Sequence, residues 1–134
     1  MIRLPSSVLA LASLLAAQGQ AVQVIERDDM VAQAARVGAQ ALARLQDMQQ
    51  RHRLIGDVRG RGLLLGIELV ADRDSKAPAG AAAERVLYRA LSRGLSFKTT
   101  MGHVLTLTPP LITTPAQMDQ ALDILEQCLA EEPA

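Results

Sequence analysis

Apolar and polar positions along this chain change period several times, and each change marks an element. From Met30 the apolar positions Val31, Ala34, Ala35, Gly38, Ala41, Leu42, Leu45 and Met48 recur every three or four residues. Gln33, Arg36, Gln40, Arg44, Asp47 and Arg51 fall on the other side. That period predicts an amphipathic helix ending near His52, with Asp28 or Asp29 as its N-cap. Upstream, Val8–Ile25 also suits a helix, although Gly19 weakens it by about 1 kcal/mol relative to alanine.

The pattern then shortens. Gly56–Arg59 is polar and extended, Gly60 and Gly62 follow, and Leu63–Val70 is a short apolar run bounded by glycine, as a buried strand would be. The two glycines tolerate positive φ, so a bulge or tight turn belongs between the strands. Ala71–Gly80 has loop composition. Ala81 to Arg93 returns to the helical period, with Ala83, Val86, Leu87, Ala90 and Leu91 facing inward and Gly94 at the C′ position. Leu95–Lys98 and Val104–Leu107 read as a hairpin turning through Thr99–His103. Pro109 and Pro110 stop the sheet. Thr114, Pro115 and Gln117 form a helix start with a capping box, followed by the stripe Met118, Ala121, Leu122, Leu125 and Leu129. The order β-β-α-β-β-α gives an α/β (α+β) sandwich: a small antiparallel-rich sheet, helices on one face and helical N-terminal segments.

Length and composition narrow the function classes. With 134 residues, one domain with a modest core is expected. The 14 basic and 14 acidic residues balance and form no basic cluster, which argues against a nucleic-acid partner. Tyr88 and Phe97 are the only aromatics, so alanine and leucine must fill the core and no base-stacking platform exists. Leu4–Ile25 is uncharged but interrupted by Pro5, Gly19, serines and glutamines, so no membrane span is expected. Met1–Ala21 has a weak signal-like layout, against which an Ala/Leu-rich helix is the simpler reading.

Candidate chemistry is sparse. Gly60-Arg61-Gly62 with Gly66 lacks the strand–glycine–helix order of a dinucleotide site, and Arg59 and Arg61 read as surface-pairing residues. Lys76 lies in a polar loop beside aspartates, which favours its charged form over a Schiff base. Lys98 ends a strand with no supporting constellation. His103 at a hairpin turn reads as an exposed histidine rather than a general base. Cys128 reads as a small apolar residue, and with His52 and His103 far apart no metal-ligand spacing arises.

Several of these blocks together resemble the C-terminal part of class-III (fold-type I) pyridoxal-phosphate aminotransferases. The resemblance is carried by Val24–Asp28, Leu54-Ile55-Gly56-Asp57-Val58-Arg59-Gly60-Arg61-Gly62-Leu63, Gly66–Leu69, Gly94-Leu95, Val104–Leu111 and Ala121–Leu125, and covers about Ala21 to Leu129. It implies a small domain over residues 21–134, preceded by an atypical segment over 1–20. It also implies a cytoplasmic enzyme that uses pyridoxal phosphate to move an amino group from an amine or amino acid to a 2-oxo acid. The assembly implied is a homodimer, or an association with a chain carrying the large domain. The family's aldimine lysine, pyridine-facing aspartate and phosphate-binding motifs match nothing in these residues, so this chain by itself is expected to be inactive. Thr106 takes the substrate-binding position, where several members carry an arginine that pairs with the substrate carboxylate. A threonine offers one hydroxyl and no bidentate fork, which opens the site to amines or unusual amino acids. The other class of function compatible with this chain is a non-enzymatic interaction or dimerisation domain. A third is an exported small binding protein.

Overall fold

The computed structural model describes residues 19–133. The chain forms two compact units, Met1–Ala32 and Gln33–Ala134. In the first, residues 19–27 are helical, and Asp28 closes the helix by donating its N–H to the Val24 carbonyl (3.0 Å). The Asp28 carboxylate is held by Arg27, Nε to Oδ1 at 2.6 Å, and Asp29 takes a left-handed φ of 48°. The expectations for Val8–Gln18, the signal-like layout included, lie outside the described residues.

The second unit carries α1 (Met30–Arg51, which begins in the first), β1 (Ile55–Arg61), β2 (Leu64–Asp72), β3 (Ala77–Pro78), α2 (Gly80–Ser92), β4 (Lys98–Thr100), β5 (Val104–Leu107) and α3 (Pro115–Ala130). The sheet order is β1-β2-β5-β4, with β3 added to the far end of β2, and every pairing is antiparallel. Inward-facing Ile55, Val58, Leu65, Ile67, Leu69, Leu105 and Leu107 meet the buried faces of the helices in one core. The expected mixed α/β sandwich with antiparallel strands is the architecture observed.

Local details depart from the sequence pattern for identifiable reasons. In α1 the buried positions are Ala34, Val37, Gly38, Ala41, Leu45 and Met48, whereas Val31 is 72% exposed. Gly38 packs so closely on the Gly62 backbone that it sets the rotation of the helix and turns Val37 inward. The bulge sits at Gly56, between the pairs Ile55↔Leu69 and Asp57↔Glu68, not at Gly60, which pairs regularly with Leu65. A Cβ at Gly56 would stand 2.6 Å from both Val70 methyls, so only glycine lets Val70 close over it. Gly62 makes the turn itself, at φ +56°.

β4 begins at Lys98 rather than Leu95 because the preceding backbone is used by the helix end. Gly94 (φ +87°) donates to the Leu91 carbonyl and Leu95 to the Ala90 carbonyl, the paired bonds of a Schellman cap. Residues 71–80 are not all loop: β2 continues to Asp72 and pairs with Ala77–Pro78. At the other end, the Thr114 capping box and Pro115 start α3 as expected.

Arginine side chains tie the helices together. Arg73 caps the C-terminus of α1, donating to the carbonyls of Gln49, His52 and Arg53. Arg44 and Arg51 on α1 reach Asp123 and Glu126 on α3. After α3, the Glu132 carboxylate, only 4% exposed, accepts from Arg85 and Arg89 of α2. The hydrogen bond from Arg85 chiefly, then that from Arg89, holds its carboxyl below the usual carboxylate range. A depressed folded-state value stabilises the fold above the unfolded pKa of about 4.3, and that contribution disappears as pH falls through the folded value. Glu132→Gln is therefore expected to cost about 1.5–3 kcal/mol at pH 7. Urea titrations at pH 7 and pH 3 test this: the gap between variant and parent should shrink in acid, and an unchanged gap would exclude this role for the carboxylate.

Candidate functional site: the open face of the sheet

Helices cover one face of the sheet, and the other carries the polar residues of each strand. The pairing aligns Arg59, Gly66, Thr106 and Lys98 in one row across β1, β2, β5 and β4. The next row is Asp57, Glu68, Val104 and Thr100. Alternation alone produces this grouping: Leu65, Ile67, Leu105 and Leu107 must face the core, so Gly66, Glu68 and Thr106 face away.

Thr106, the residue singled out from sequence, lies half-buried on this face. Its hydroxyl is 2.8 Å from that of Thr100, so one hydroxyl hydrogen joins the pair and the other remains to donate outward. Nearby, Arg59 uses Nη1 for both Asp57 Oδ2 (2.6 Å) and Glu68 Oε2 (2.8 Å). Glu68 first, and Asp57 second, push the Arg59 guanidinium above its ordinary value. A cavity of about 490 Å³ lies over this region, walled by Arg59, Arg61, Leu64, Gly66, Thr100 and Thr106 among others. Around the end of the sheet, Lys98 joins Leu95, Phe97, Leu107, Pro110 and Met118 on a second, largely apolar cavity of about 450 Å³.

His103 differs from the exposed turn residue expected. Its side chain is 13% exposed, Nδ1 lies 2.9 Å from the Met101 carbonyl, and Nε2 faces Glu68 at 3.7 Å. The carbonyl can only accept, so Nδ1 carries the proton in the neutral ring. The signal sequence reasoning lacked was the register that brings Glu68 beside the hairpin. Lys76 lies in an exposed turn at φ +55°, away from the row, and Cys128 is fully buried under Arg93, Nη1 to Sγ 3.3 Å. Gly60-Arg61-Gly62 leads into a strand, so no helix N-terminus faces an anion there. Among the described residues no group of His, Cys, Asp or Glu is placed to hold a metal ion, and no helix is long and apolar enough to cross a membrane.

The class-III aminotransferase family model matches residues 11–129. The chain belongs to this family. It is 45% identical over 105 residues to isoleucine 2-epimerase from Lentilactobacillus buchneri, covering 78% of this chain and 23% of that protein. It is 39% identical over 110 residues to leucine/methionine racemase from Thermococcus litoralis, covering 82% and 25%. Among solved structures, a phospholyase from Arthrobacter in complex with phosphoethanolamine superposes with a TM-score of 0.79 at 30% identity, over 84% of this chain and 27% of that one. The chain thus spans about a quarter of the length of the relatives it matches. This pyridoxal-phosphate-dependent family takes in aminotransferases, racemases and lyases.

The described residues of this class-III chain do not by themselves fit the cofactor. An aldimine needs a lysine in a desolvated pocket, and the pyridine nitrogen needs a free carboxylate. Lys98 is exposed at one end of the sheet, and the carboxylates on the open face, Asp57 and Glu68, lie toward the other end and are engaged by Arg59. Among the described residues, the open face therefore presents hydroxyl, guanidinium and apolar surface, not a complete cofactor site.

Proposed function

We propose that residues 21–134 form the C-terminal small domain of a pyridoxal-phosphate enzyme, and that its open sheet face is turned toward an amine or amino-acid substrate. The reaction favoured is transfer of the amino group to a 2-oxo acid, carried out by an assembly that includes cofactor-binding residues beyond those described. A cytoplasmic location and a homodimer, or association with a large-domain chain, go with this reading. The observation that carries it is the position of Thr106 on the uncovered face, hydrogen-bonded to Thr100 in the strand row that also holds Arg59 and Lys98.

Thr106 binds a substrate polar group through one hydroxyl, and Leu64 and Val104 beside it offer apolar contact. A lone hydroxyl orients such a group without the charge pairing of an arginine fork, so selection for a carboxylate at this point is weak. A second reading, racemisation or epimerisation of an apolar amino acid, is favoured by the names of the two relatives at 45% and 39% identity. A third, a binding domain without catalysis, is favoured by the apolar residues left uncovered on the face, Leu64 and Met101.

Mixing the purified chain with pyridoxal phosphate, reducing with borohydride and mapping the product by mass spectrometry tests the division of labour. No stoichiometric adduct is expected, because neither Lys98 nor Lys76 is desolvated. A single stoichiometric adduct on either lysine, with amino-group transfer by the chain alone, would overturn it.

A further inference from the structure

The sheet ends on two strands of unequal length: β4 has three residues and β1 has seven. Among the described residues β1 is paired with another strand on one side only, by β2, and because the Gly56 carbonyl at the bulge accepts from Gln49 Nε2 (2.9 Å), the free stretch of this edge is residues 57–61. A terminal strand of that length presents unpaired N–H and C=O groups to any strand that can lie beside it. Side chains decide which strand fits. Asp57, Arg59 and Arg61 point to the open face and are exposed, whereas Val58 is buried in the core.

The charge pattern of β1 is complementary to itself. Lay a second β1 antiparallel to the first with Val58 opposite Val58, and Asp57 of each copy faces Arg59 of the other. The four charges then form a square in which every adjacent corner has the opposite sign. Shifting the axis to Asp57 or to Arg59 places like charges directly opposite at the centre, which is unfavourable. The Val58 register also keeps the helix-covered faces of both copies on the same side, because opposed residues share a face. Donors are available for the new contact. Arg59 spends only Nη1 on its own Asp57 and Glu68, which leaves further guanidinium N–H groups for the partner's carboxylate.

We propose that β1 is a docking edge for a second copy of this chain, paired antiparallel about a two-fold axis at Val58 and selected by the Asp57–Arg59 exchange. Such an isologous contact joins two five-stranded sheets into one of ten. The ladder is short, so the interface belongs at the small, weak end of the range and the dimer forms at high protein concentration. The inference is independent of the enzymatic reading.

Sedimentation equilibrium over a wide concentration range tests it, with circular dichroism to show that each variant folds. The parent chain should associate reversibly to a dimer. Asp57→Arg alone and Arg59→Asp alone should each weaken self-association by about tenfold or more, since like charges then face each other. An equimolar mixture of the two variants should recover a one-to-one complex, because the two arginines of one strand meet the two aspartates of the other. A parent chain that stays monomeric, variants that dimerise like the parent, or a mixture that forms no complex would each overturn the proposal. Should Arg59→Asp fail to fold, amide exchange of the parent replaces the mixing arm. Concentration-dependent protection along residues 57–60 supports the edge, and protection appearing instead around Tyr88 and Leu91 on α2 overturns it.

Discussion

Gly38→Ala is expected to destabilise this chain by about 3 kcal/mol, at the upper end of what overpacking costs, although helix propensity alone predicts a gain of about 1 kcal/mol. A Cβ at position 38 would stand 2.0 Å from the Gly62 carbonyl oxygen and 2.3 Å from its carbon. Both atoms are backbone, so no rotamer change relieves the clash, and the turn between β1 and β2 must move or α1 must lift. Gly62 already occupies a left-handed conformation, which narrows the ways the turn can yield. The neighbouring exposed Ala39 supplies the control: Ala39→Gly should lose only about 1 kcal/mol, by propensity. Urea denaturation of both variants decides the matter, and a Gly38→Ala chain as stable as the parent would show that the α1–turn contact does not constrain the fold.

Leu105→Ala is expected to cost about 2–5 kcal/mol, a large share of the roughly 5–15 kcal/mol available to a domain of this kind. Leu105 is fully buried at the centre of the sheet, paired with Ile67 on one side and Thr99 on the other. Truncating it leaves a cavity beneath the strand that carries Thr106. The loss should therefore also appear as faster amide exchange at Thr100 and Thr106, whose hydroxyl pair depends on the β4–β5 register. Leu64→Ala, on the open face and 60% exposed, should change stability by no more than about 0.5 kcal/mol. Equal losses at the two positions would mean that the open face is packed in solution and not open.

The two substitutions touch features that differ in how far the sequence showed them. The pattern from Met30 to Arg51 predicted α1 and most of its inner stripe, because three- and four-residue spacing is a local property. It placed Val31 inside and passed over Val37, because the rotation of the helix is set by Gly38 against Gly62, a contact between residues far apart in the chain. Gly94 and Thr114 were legible for the same local reason as the helix: caps are made by neighbouring residues. The β4 boundary was not, since Leu95 looks like a strand residue until its N–H is seen bonded to Ala90.

At the candidate site the balance shifts further toward tertiary structure. The block from Val104 to Leu111 marked Thr106, and alternation put it on the face opposite Leu105 and Leu107. Nothing local indicated Thr100 as its partner, because Thr100 read as a turn residue. Nothing local paired Glu68 with Arg59 and His103 either.

By itself, then, the sequence determined the main order of helices and strands, the caps at Gly94 and Thr114, most of the buried stripe of each helix, and the family blocks that mark Thr106. These follow from residue types within a few positions of one another. Tertiary structure alone decided the rotation of α1, the placement of the bulge at Gly56, and the rows that assemble Arg59, Glu68, Thr100 and Thr106 on one surface. Strand register is fixed by how the whole core packs, and a shift of one residue would have sent every one of those side chains to the other face.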